Sequence, residues 1–270
     1  MFLEPVRQVF QITGSDRYRF MQGLVTQDVN LLEQGQRTVI YTAALTPNGR
    51  YQYDFFLVNN DQALYVVAQD AEALLIHIRP YKLRLDVQFI PLFDTHRVYG
   101  NSIPFTGDII SFQDPRHLEL GYWCITDRVL SSTTDLTAYR RNRFNLGIPE
   151  GEDFEKDRSI ILEWGLEELN GISFTKGCYM GQELMSRTKH TGQIRKRLLP
   201  CQFDEIHGEI KIGDKVTYKE QEIGEIKAVH GFLALGLMRI DMIPVREEDT
   251  VPVVVNQDKA IIYKPQWIKL

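Results

Sequence analysis

The chain has 270 residues, 43% of them hydrophobic and 25% charged, with a net charge of -5. That length buries a sizeable core and suits two or three subdomains, while the acidic balance excludes a chain built as a whole to neutralise nucleic acid. Three widely separated cysteines argue against a disulfide framework and for a reducing compartment, and no apolar run approaches the roughly 20 residues that a membrane span needs. "MFLEPVRQVF" has no basic region followed by an apolar run, so a secretory signal is not expected. The expected location is the cytoplasm, or an organelle matrix after removal of a leader, with no membrane partner.

In chain order, "TGSDRYRFMQGL" predicts a helix capped by Ser15 or Asp16 and ended near Gly23. "RTVIYTAAL" and "RYQYDFFLV" are rich in β-branched and aromatic residues, and "TPNG" between them is a hairpin signal. "ALYVVAQ" predicts a third strand. Asp70 then caps an expected helix, "AEALLIHIRPYKLRL", which Pro80 ends or bends. Residues 86 to 130 read as short strands with turns at "YGNS" and "QDPR". "TTDLTAYRRNRFNLGIP" predicts a further helix, closed by Gly147 and Pro149. After Pro200 short β runs alternate with glycine turns and no helical stripe appears, which predicts a small barrel of about 60–70 residues.

The densest chemistry lies at "SFTKGCYMGQELMSRTKHTGQIRKR", residues 173–197. A helix from about Tyr179 to Lys189 is expected, with Met180 and Leu184 toward the core. Cys178 then sits at its N-terminus, where unpaired N–H groups and the nearby Lys176 favour a thiolate, and Gly177 and Gly181 leave room around the sulfur. The competing reading is a small buried hydrophobe. Neither C-x-x-C spacing nor an H-x3–5-H pair is present, so no stable metal site is expected, and a ligand shared with a partner stays open. No G-x-S-x-G, Walker or dinucleotide pattern occurs. Arg187, Lys189, Arg195, Lys196 and Arg197 form a basic run: an anion site, or an ordinary solvated face. No aromatics interleave it, so direct nucleic-acid binding is not expected.

"KGCYMGQE", residues 176–183, resembles the signature of the YgfZ-type folate-binding proteins that serve iron–sulfur protein maturation, a family that includes a mitochondrial assembly factor. "RFMQGLVTQDV" and "LTPNGRYQYDFFL" resemble its other recurrent stretches. That family shares its fold with the T-protein of glycine cleavage, an aminomethyltransferase that uses tetrahydrofolate. The resemblance implies an α+β fold of three subdomains in a ring with a C-terminal β-barrel. Residues 1–46 plus 118–200 would form a discontinuous folate-binding subdomain, 47–117 a second, and 201–270 the barrel.

The resemblance also implies tetrahydrofolate or a related reduced folate as ligand and iron–sulfur client or assembly proteins as partners. Tyr179 would stack on the pterin, and Gln182, Glu183 and Asp28 would bond it or order its neighbours. Arg187, Arg195 and Arg197 would meet the glutamate tail. Cys178, with Lys176 beside it, would act as a reactive thiol or transient cluster ligand. Asp28 equally fits a turn residue. The alternative function is a folate-dependent one-carbon transferase. The T-protein's catalytic aspartate has no evident counterpart here, since Asp70 and Glu72 come too early, and whether any reaction is catalysed stays open.

Overall fold

The computed structural model describes residues 1–4, 6–192, 194–245 and 250–269. They divide into two compact units, 1–136 with 156–158 and 169–184, and 137–155 with 159–168 and 185–270.

The first unit contains β1 (Phe2–Leu3), β2 (Arg7–Thr13), α1 (Arg17–Gln22), α2 (Asn30–Glu33), β3 (Val39–Leu45), β4 (Tyr51–Asn60), β5 (Ala63–Gln69) and α3 (Ala71–Ile78). It continues through β6 (Gln88–Pro91), β7 (Arg97–Asn101), β8 (Ile110–Gln113) and β9 (Tyr122–Thr126). Five strands form one sheet in the order β3-β4-β5-β2-β6, and four form another in the order β1-β7-β9-β8. Helix α1 buries Phe20 and Met21, and α3 buries Leu74 and Ile78, in one core with Phe10 and Phe55 of the larger sheet. Bringing such side chains out of water contributes about 1.5–3 kcal/mol each.

The strand pair around "TPNG" is a hairpin, with β3 and β4 antiparallel from Val39↔Val58 to Leu45↔Tyr51. The expected boundary between residues 46 and 47 falls in the turn of this hairpin, so the larger sheet crosses it. Helix α1 ends at Gly23 as expected, and Asp16 takes the N-cap position without a side-chain cap bond. Its carboxylate instead accepts from the backbone N–H of Asp86 (2.9 Å). Asp70 likewise occupies the N-cap position of α3 without capping it; its φ is +57° and its carboxylate pairs with Lys156 at 3.1 Å. At Pro80 the helix gives way to a 3-10 turn over Arg79–Lys82.

The second unit holds α4 (Thr137–Asn145), most of α5 (Gln182–Thr191), and six strands. These are β10 (Lys196–Phe203), β11 (Lys215–Tyr218), β12 (Gln221–His230), β13 (Leu233–Arg239), β14 (Thr250–Val255) and β15 (Asp258–Tyr263). They close into a barrel in the order β10-β13-β12-β11-β14-β15. Alternation explains the closure: in β14, Val251, Val253 and Val255 are buried and their neighbours are exposed. The barrel begins at Lys196, slightly before the expected residue 201, because β10 pairs with β13 from that residue onward.

Candidate functional site

Four backbone or side-chain bonds bind residues 170–180 to the stretch that follows α1. Thr26 Oγ1 donates to the carbonyl of Gly171 (2.6 Å), and Gln27 Nε2 donates to that of Asn170 (2.6 Å). Ser173 N–H donates to Thr26 O, and Met180 N–H donates to Gly23 O, both at 3.0 Å.

Between these anchors, the chain after α1 turns so that three carbonyls converge. Lys176 Nζ donates to all three: Gln22 O (2.8 Å), Val25 O (2.7 Å) and Gln27 O (2.8 Å). The residue is only 7% exposed, and its ammonium lies 5.1 Å from the centre of the Tyr179 ring. Burial pulls the Lys176 ammonium down to about 7, with Asp28 acting in the opposite direction. An ammonium has three N–H donors, and all three are taken here. The expected role of Lys176 as a thiolate stabiliser beside Cys178 is therefore corrected. Its donors hold the loop in place instead.

Cys178 is exposed, whereas Cys124 and Cys201 are buried. The expected placement of its thiol at a helix N-terminus is also corrected. Helix α5 starts at Gln182, because Gly181 has φ +81°, outside the helical region. Cys178 lies in the loop before it. A Cβ added at Gly177 would meet nothing within 4 Å, so the expected open space beside Cys178 is present on that side. Gly181 serves another need. A Cβ there would lie 2.6 Å from Thr46 O, 2.9 Å from Leu45 Cβ and 3.0 Å from Gly49 Cα, so it seats the loop on the β3–β4 turn. Gly181→Ala is expected to lower stability by about 2 kcal/mol or more, from the positive φ and the backbone clash together. A urea unfolding midpoint within error of the unsubstituted chain would refute this account of the seat.

The remaining expected site residues scatter. Tyr179 is 7% exposed, so its ring is not available to stack on a ligand, and burial pushes its phenol up to about 12. Its hydroxyl has no hydrogen-bond partner among the described residues. Asp28 Oδ1 accepts from Gln22 Nε2 (2.8 Å) and Asn30 N–H (3.1 Å), which makes it a turn residue. Gln182 is half-buried and Glu183 exposed, in the first turn of α5.

The basic run is not one patch. Arg197 is buried and donates through Nη2 to Glu168 Oε1 (2.7 Å) and through Nη1 to Leu162 O (2.8 Å). Lys189 pairs with Glu167 at 2.5 Å. Arg187, Arg195 and Lys196 are exposed. Arg197 thus belongs to the fold of the second unit, and its expected contact with a ligand tail is corrected. Glu72 is exposed, and Asp70 is engaged with Lys156.

A groove of about 1130 Å³ opens in the first unit, two residues along the chain from Cys178. Phe20, Leu24, Pro47, Leu85 and Met180 give it an apolar lining, and Asp16, Arg19 and Arg84 are its charged groups. Neither Asp70 nor Glu72 lines it. Arg19 and Arg84 were missed in the sequence: one lies in a helix pattern, the other in a stretch read as helix continuation. Among the described residues, no group of three His, Cys, Asp or Glu side chains is placed to hold a metal ion.

Comparison with known proteins places this architecture in a class. The chain superposes on the glycine cleavage system aminomethyltransferase T of Bartonella henselae with a TM-score of 0.69, over 99% of this chain and 85% of that one, at 13% identity. It therefore has the mixed α/β fold of that protein. Residues 195–270, the barrel, match the family described as CAF17, C-terminal beta-barrel domain. The mitochondrial iron–sulfur cluster assembly factor IBA57 of Mus musculus is 30% identical over 88% of this chain and 76% of its own length. IBA57 homologues of Neurospora crassa and Mycosarcoma maydis are 33% and 32% identical over 72% and 74% of the chain. The chain belongs to the IBA57 family of iron–sulfur cluster assembly factors. It spans about half the length of the two fungal relatives, 52% and 56%. The YgfZ type remains a resemblance.

Proposed function

We propose that the chain is an iron–sulfur cluster assembly factor that presents Cys178 as a reactive thiol or transient ligand for a cluster in transit to client proteins. The observation that carries this reading is an exposed cysteine on a loop held rigid by a buried lysine. An exposed thiol on a mobile loop would sample many positions, whereas this one is presented from a fixed base. The cluster is cargo in this account, and the partners are the assembly proteins that bring it and the clients that receive it. The matrix of the mitochondrion is the proposed location, since the relatives are named mitochondrial. No helix among the described residues is long and apolar enough to cross a membrane.

The finer part of the proposal is that a reduced folate binds in the groove beside the Cys178 loop. The lining supports it: an aromatic and aliphatic floor suits the ring system, and Asp16 and the two arginines are the few placed polar groups such a site needs. The anionic glutamate tail is assigned to Arg19 and Arg84, which line the groove, in preference to Arg187 and Arg195, which do not. Gln182 and Glu183, just beyond Met180, are retained as polar contacts for the pterin. Neither Asp70 nor Glu72, the acids on which the transferase reading would draw, lines the groove; the acid that does is Asp16, whose carboxylate accepts from Asp86 N–H.

Calorimetric titration with mono- and polyglutamylated tetrahydrofolate tests this. Arg19→Gln with Arg84→Gln is expected to weaken the polyglutamate form about tenfold more than the monoglutamate, a gap that shrinks as salt is added. Absence of binding by either form would remove folate from the account and leave the cluster-handling role standing.

A further inference from the structure

Along the edge of that groove, which Tyr81, Leu83 and Arg84 help to line, the surface carries one segment whose residues conflict with a purely structural role. The ten residues 76–85, "IHIRPYKLRL", contain three cations and no acid in a chain of net charge -5. Leu83 is 86% exposed, Ile76 67% and Tyr81 38%. Leu85 N–H donates to Lys82 O at 2.9 Å and closes a turn over Leu83. Leu83 has φ +47° and ψ -115°, the angles of the first central residue of a type II′ turn, a position that favours glycine. A leucine there carries backbone strain and gains almost no burial in return, a combination found at binding surfaces.

The charges around it are unbalanced. Two carboxylates lie nearby, both bonded to neutral donors, so the three cations of the segment exceed them by one charge: Asp86 accepts from Ser15 N–H (3.0 Å) and Ser15 Oγ (2.9 Å), and Asp16 accepts from Asp86 N–H. Asp86 is held below the usual carboxylate range first by those Ser15 bonds, with Lys82 adding a smaller attraction. Arg79 and Lys82 make no ion pair among the described residues. The result is a largely exposed leucine at the groove edge, an aromatic ring with a polar tip beside it, and cations on both sides.

We propose that residues 76–83 form a docking surface for an anionic lipid bilayer, with Leu83 inserting among the acyl chains, Tyr81 at the headgroup level, and Arg79 and Lys82 meeting lipid phosphates. A protruding leucine needs a deformable surface or a matching socket, and so few apolar residues fall short of the roughly 800 Å² per partner that a stable protein interface buries. A bilayer supplies the deformable apolar layer and the complementary charge together. The contact is peripheral, so it departs from the expectation of no membrane partner, which rested on the lack of a spanning run. Tyr81 and Leu83 also line the groove, and the vesicle test is therefore run without folate.

The test is sedimentation of the full chain with vesicles of phosphatidylcholine alone and with about one-third phosphatidylglycerol added. Partitioning onto the anionic vesicles is expected to be at least about tenfold stronger and to weaken with salt. Arg79→Gln with Lys82→Gln should reduce it about 30-fold, and Leu83→Ser about tenfold or more. Phe232→Ser, at an exposed site on the barrel, should leave it unchanged. Leu83→Trp should show a blue-shifted emission on anionic vesicles. Equal binding to both vesicle types, insensitivity to these substitutions, or an unshifted tryptophan would overturn the proposal. So would vesicle binding that is absent while the same substitutions abolish binding to an acidic protein partner.

Discussion

Lys176→Met is expected to destabilise the first unit by about 3 kcal/mol and to release the Cys178 loop. Methionine nearly matches the length of the lysine stem, so the hydrocarbon packing is largely kept. What disappears is the donor for three carbonyls, those of Gln22, Val25 and Gln27, which converge on the ammonium. Each carbonyl left buried without a donor costs on the order of 1–3 kcal/mol, offset in part because methionine carries no charge to desolvate. Lys176→Arg should not rescue the loss, since a planar guanidinium cannot direct three N–H bonds from a single point. Urea unfolding followed by circular dichroism gives the stability change. Limited proteolysis between residues 173 and 181 reports the loop. A variant that unfolds at the same urea concentration and stays uncut would show that Lys176 does not brace Cys178.

Alkylation at neutral pH should modify Cys178 at least about a thousandfold faster than Cys124 or Cys201 in the folded chain. Burial pushes the Cys124 thiol up to about 12, which leaves roughly one thiolate in 10⁵ at pH 7, and the sulfur is also shielded from reagent. Cys201 is fully buried in β10 and is raised for the same reason. Denaturation should bring the three rates together.

Cys178→Ser should then leave the unfolding free energy within about 0.5 kcal/mol, as for other exposed substitutions, yet reduce cluster delivery to a client by an order of magnitude or more. Folate affinity should change far less. Delivery at the unsubstituted rate by Cys178→Ser would sink the thiol mechanism outright. Loss of delivery together with loss of stability would instead mark the residue as structural.

Several elements of this chain were legible without a fold. Helix α1 ends where Gly23 stands, the β3–β4 hairpin turns at "TPNG", and the barrel strands alternate inward and outward as β14 does. These depend on turn chemistry and side-chain period, which act over a few residues. The open space that Gly177 leaves beside Cys178 was legible in the same local way.

The roles within the site were decided elsewhere. Lys176 was read beside Cys178 because the two are close in sequence, but its partners lie about 150 positions earlier, where a turn after α1 happens to gather three carbonyls. Arg197 looked like one member of a basic run, but the fold of the second unit brings Glu168 and Leu162 O to it and buries it. Gly181 was expected to leave room around the sulfur, and the space it leaves is taken by the backbone of the hairpin turn. Arg19 and Arg84 share a groove only because α1 and the loop after α3 meet at its edge. Propensity and period, which are local, settled the elements of this protein. Charge pairing, burial and cavity shape depend on which distant segments pack together, and only the tertiary structure assigned them.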